Sequence, residues 1–129
     1  MQLAAPFPVT LDERQVMLKP LTVRQRLQFS NILVERARAR AVEAGKAAGL
    51  TGKELAEMIA DAALEAERVS AVVVAAFTFE GAMLVLGMAS SKEDAEAIGG
   101  ALEPGEVGVL AARCLGVDVA ARAGNNAGN

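Results

Sequence analysis

The chain contains no histidine, no tryptophan and no tyrosine, and it has one cysteine in 129 residues. Each absence excludes a class of behaviour. Without imidazole, the commonest general base, zinc ligand and pH-sensing group is gone. A lone thiol at Cys114 cannot form an internal disulfide and has no imidazole to hold it as a thiolate. It lies in an apolar stretch and reads as a buried, inert side chain in a reducing compartment. With aromatics at 3% against 53% hydrophobic residues, a core has to be assembled from Ala, Val, Leu, Ile and Met. Small side chains let helices approach closely, but each buries less area than a ring. The start, Met1 to Pro8, lacks a basic stretch followed by an apolar run, so no secretory signal is expected there.

Candidate chemical groups reduce to carboxylates. Glu54, Glu57, Asp61 and Glu65 recur at helical spacing, and Glu93, Asp94 and Glu96 cluster where a helix should begin. Both sets read as solvated helix surface, since acids are favoured in a first turn. Gly49-Leu50-Thr51-Gly52-Lys53 has Ala47 and Glu54 where a phosphate loop needs Gly and Ser/Thr, so it reads as a turn. No catalytic residue, no metal ligand and no cofactor site is assigned; the chain is expected not to be an enzyme.

Charge is uneven. Residues 1–53 carry nine Lys/Arg against four acids, and the remainder carries four against twelve. Arg36, Arg38 and Arg40 form the best nucleic-acid candidate, yet alternate residues of a helix diverge in direction and no aromatics interleave for base stacking. They read as a salt-bridged face, and nucleic-acid binding is not expected. From Val69 to Ala89 the chain is apolar for about twenty residues, the length that spans a bilayer. Glu80 at its middle and the absence of an aromatic belt favour a buried helix pair broken near Glu80 instead of a membrane span. Glu80 itself is either exposed at a bend or buried with an arginine.

The expected fold is mainly α: an N-terminal β-hairpin, an antiparallel helical hairpin, then shorter C-terminal helices, as one domain over residues 1–119 with a disordered tail over 120–129. Val9 and Leu11, then Val16 and Leu18, alternate around a polar turn and read as the hairpin. Thr22 can cap a helix over 23–44 with Val23, Leu27, Ser30, Leu33, Val34, Ala37, Ala41 and Ala44 on its apolar face, Phe29 at the edge. Ile32 falls on the polar side, as an exposed singleton or as a contact. Gly45 to Gly49 should stop this helix. Thr51 with Glu54 forms a capping-box pattern for a helix over 52–76, facing the first, with Arg40 near Glu57 and Arg36 near Asp61. The end after Val69 should be the most buried part of the fold. Further helices are expected over 80–88, then from Ser91 through Ile98 with a stop at Gly99-Gly100, and finally from Pro104 toward Gly116.

Val9-Thr10-Leu11, followed by Val16-Met17-Leu18-Lys19-Pro20-Leu21-Thr22-Val23-Arg24, resembles the opening of many tailed-phage tail assembly chaperones, in which a β-hairpin passes through Pro-Leu-Thr directly into a helix. Leu102-Glu103-Pro104-Gly105-Glu106 with Leu110 is similar to the closing helix of such proteins. The resemblance covers about a fifth of the chain, and the Ala-rich middle has no counterpart in it. It implies a cytoplasmic protein of an infected host cell that binds the tape-measure protein, and tail tube subunits, during tail assembly. The expected partner surface is Val9, Leu11, Val16 and Leu18 on the hairpin with Ile32, Phe77, Phe79, Met83 and Leu86. Self-association into a homo-oligomer is compatible with such a surface. Two other readings stand beside it: a head–tail connector or adaptor subunit retained in a phage particle, and a small DNA-binding regulator.

Overall fold

The computed structural model describes residues 5–117; the tail expected over 120–129 lies outside them. The fold is mainly helical behind an N-terminal hairpin: β1 (Phe7–Thr10), β2 (Gln15–Leu18), α1 (Val23–Ala47), α2 (Gly52–Glu67), α3 (Val69–Ala76), α4 (Phe79–Ala89), α5 (Lys92–Ala101) and α6 (Pro104–Cys114). Contacts gather in two compact units: residues up to Arg26 together with those from Val73 onward, and Leu27–Val72.

In the first unit, β1 and β2 pair antiparallel with Phe7 opposite Leu18 and Val9 opposite Val16. Alternation does what the sequence promised: Phe7, Val9, Val16 and Leu18 face inward and are buried, while Pro8, Thr10 and Met17 face out. Helix α4 packs against both α5 and α6. Gly81, Ala82, Ala89, Gly108, Ala111 and Ala112 are all buried on α4 and α6. Side chains that small allow close approach of helix axes. Val85, Leu86, Ile98, Val107 and Cys114 fill the rest of the core.

The junction Lys19-Pro20-Leu21-Thr22 works as a clasp. Lys19 N–H donates to the Ala89 carbonyl at 3.0 Å, and Leu21 N–H donates to the Cys114 carbonyl at 2.8 Å. Both acceptors are terminal carbonyls of a helix, which have no partner inside it. Pro20, which has no N–H, sits between the two donors. Leu21 is buried. Thr22 then caps α1 reciprocally: its Oγ1 accepts from Gln25 N–H at 3.1 Å, while its own N–H donates to Gln25 Oε1 at 3.0 Å. Gln25 Nε2 continues to the Met88 carbonyl. Arg14, in the hairpin turn, pairs with Asp94 of α5 at 3.2 Å. Asp94 also accepts from Ser90 Oγ, and its N–H donates to Ser91 Oγ, the α5 cap.

In the second unit, α1 runs through Gly45 to Ala47, past the expected end at Ala44, and is closed by Gly49, the last residue of the stretch expected to stop it. Gly45 is buried against Leu55 and Met58 of α2, where an added Cβ would push aside the end of the Leu55 side chain. Gly49 adopts φ +80°, with its N–H on the Lys46 carbonyl and Leu50 N–H on the Gly45 carbonyl, a Schellman ending. The buried positions of α1 are Phe29, Val34, Ala41 and Gly45; Val23 and Leu27, expected inside, are 73% and 60% exposed. Thr51 takes the N-cap position of α2, but its side chain makes no capping bond, so the expected capping box is not formed. Glu57 is met by Lys53 of its own helix at 3.9 Å and not by Arg40; Arg38 pairs with Glu35 one turn back.

The single helix expected over 52–76 is two. Arg68 takes an extended conformation, with ψ 142°, and separates α2 from α3. The short helix expected to stop at Gly99-Gly100 continues through both glycines to Ala101.

Candidate functional site

Helices α3 and α4 meet at 92°. The corner is made by two residues. Thr78 Oγ1 donates to the Ala75 carbonyl at 2.7 Å and accepts from Gly81 N–H at 3.0 Å, closing α3 and capping α4 with one hydroxyl. Gly81 lies so close to the Ala75 carbonyl oxygen that no Cβ fits. Glu80 follows in the first turn of α4, exposed at the bend, the first of the two alternatives read from the sequence.

On either side of Thr78 stand Phe77 and Phe79, 43% and 56% exposed. Each ring rests beside a glycine of a neighbouring helix. A Cβ on Gly108 of α6 would lie 2.8 Å from Phe77 Cδ1. One on Gly99 of α5 would lie 2.9 Å from Met83 Sδ and 3.5 Å from Phe79 Cε2. The glycines give the rings a flat seat that leaves the outer face of each in solvent. Val74, on the last full turn of α3, is 66% exposed. The region expected to be most deeply buried is therefore where apolar side chains emerge. Val69 and Leu64, which belong to the other unit, are exposed as well.

This placement divides the sequence-derived partner surface. Phe77 and Phe79 are exposed, and Leu11, Ile32 and Met83 are half-buried. Val9, Val16, Leu18 and Leu86 are core residues, the last two fully enclosed, so their side chains are not available for contact. The inward face of an amphipathic hairpin belongs to its own helices before it can belong to a partner. Exposed Met17 and Val74 were not singled out. The alternation that buries Val16 and Leu18 points Met17 outward, so that signal was readable; nothing in an all-apolar stretch marks Val74.

A second feature runs between β1 and α6. It is a groove of about 640 Å³ lined by Pro8, Val9 and Thr10 of β1, by Leu102, Val109 and Leu110, and by Glu103 and Glu106. Across it lies the outer edge of β1. Leu11 N–H bonds the Arg14 carbonyl at 2.8 Å, and with the register this fixes the alternation of the ladder. Phe7 and Val9 bond inward to β2, while the Pro8 carbonyl and both backbone groups of Thr10 face away from it.

Other candidates stay apart. Among the described residues no three His, Cys, Asp or Glu side chains gather where an ion could be held. Glu54, Glu57, Asp61 and Glu65 are all exposed on α2. Cys114 is fully enclosed, and burial pushes its thiol up to about 11, against a smaller opposing pull from Arg113. Arg113 itself lies over the Phe7 ring, 3.9 Å from its centroid. Among the described residues no single helix is long and apolar enough to cross a membrane; α3 and α4 reach that length only together, across their bend, and α4 is largely core. Compared with known proteins, the chain matches no family model, no curated protein and no solved structure.

Proposed function

We propose that the chain is a non-catalytic protein-binding factor that assists assembly of a phage tail by holding apolar segments of the tape-measure or tail tube protein. The observation that carries the binding part is the α3–α4 corner. Two of the chain's four phenylalanines stand half in solvent there, held by a cap and a glycine that keep the bend rigid. Aromatic side chains exposed beside each other are costly to leave in water and are characteristic anchors of protein interfaces. The tail-assembly part rests on the resemblance of residues 9–24 to tail assembly chaperones. In this fold those residues form the hairpin and its clasp, so the likeness speaks for the architecture, and the corner supplies the surface. No cofactor is needed, and the host cytoplasm is where such a client would be made.

The test is co-expression of the chain with tail tube and tape-measure proteins encoded in the same genome, followed by affinity capture. The unaltered chain retains one of them in soluble form. The double variant Phe77→Ser, Phe79→Ser folds but releases it. Recovery of neither protein by the unaltered chain would overturn the assignment.

A further inference from the structure

We draw no further inference here: the strongest candidate, the groove between β1 and α6 lined by Val9, Leu102, Val109 and Leu110, carries nothing, because nothing in the structure shows what covers it.

Discussion

The ring of Phe77 lies across the backbone of Gly108, and a methyl group on that glycine would stand 2.8 Å from Phe77 Cδ1 and 3.3 Å from Phe77 Cα. Because the second contact is to backbone, the ring cannot make room by rotating alone. Gly108→Ala gains about 1 kcal/mol of helix propensity and loses about 1–3 kcal/mol to overpacking. The expected outcome in urea unfolding is net destabilisation, with Phe77 displaced further into solvent. A Gly108→Ala variant more stable than the parent would show that the ring does not sit there.

The α3–α4 corner separates into two costs. Gly81→Ala forces a Cβ against the Ala75 carbonyl, whose backbone cannot yield without opening the bend, and is expected to cost about 3 kcal/mol. Thr78→Ala removes the hydroxyl that both closes α3 and caps α4, for about 1 kcal/mol. Both residues serve the same turn, so the double variant should lose less than the combined single effects. Additive losses in denaturant would mean that the cap and the glycine act independently.

Cys114 supplies a pH dependence of known sign. Its thiol is ordinarily at 9.0 and is held near 11 by burial in the folded chain. The folded state therefore keeps a proton that the unfolded state gives up. The contribution is fully present below pH 9 and is lost as the pH rises from there toward 11, with a slope of at most about 1.4 kcal/mol per pH unit. Cys114→Ala should flatten that decline. Alkylation of the thiol at pH 8 should proceed only as fast as the chain opens, and rapid labelling of the native protein would contradict the enclosure seen here.

Arg113 connects that thiol to the hairpin. Its guanidinium lies over Phe7 and also lowers the Cys114 pKa, though less than burial raises it. Arg113→Met keeps the aliphatic stem and removes the charge. It is expected to cost about 0.5–1 kcal/mol of stability and to move the thiol titration higher still. A stability loss without movement of the titration would assign Arg113 to packing alone.

The two units should differ in local stability. Over Gly52–Glu67 only Ala63 is buried, whereas α4 buries Gly81, Ala82, Val85, Leu86 and Ala89 over eleven residues. Hydrogen exchange follows buried contact, so amides of α2 are expected to exchange at least tenfold faster than those of α4. Uniform protection across both helices would argue that Leu27–Val72 is held as firmly as the rest.

Local chemistry in the sequence determined a good part of this protein. Val9, Val16 and Leu18 alternate, so the hairpin and its buried face follow from the pleat. Thr22 and Ser91 accept from N–H groups three residues on, and Pro104 has the φ a first turn requires; each acts within a few residues of itself. The tertiary structure alone decided what depends on distant partners. Gly45, Gly99 and Gly100 looked like stops but lie within helices, because a glycine interrupts a helix only when nothing rewards continuing it, and Gly45 packs against Leu55 while Gly99 packs against Met83. Arg68 gave no local sign of a break. The apolar run after Val69 was equally ambiguous: hydrophobicity says that a side chain prefers to leave water, but only the arrangement of α4, α5 and α6 decides which ones do, and it encloses Leu86 while leaving Phe79 outside.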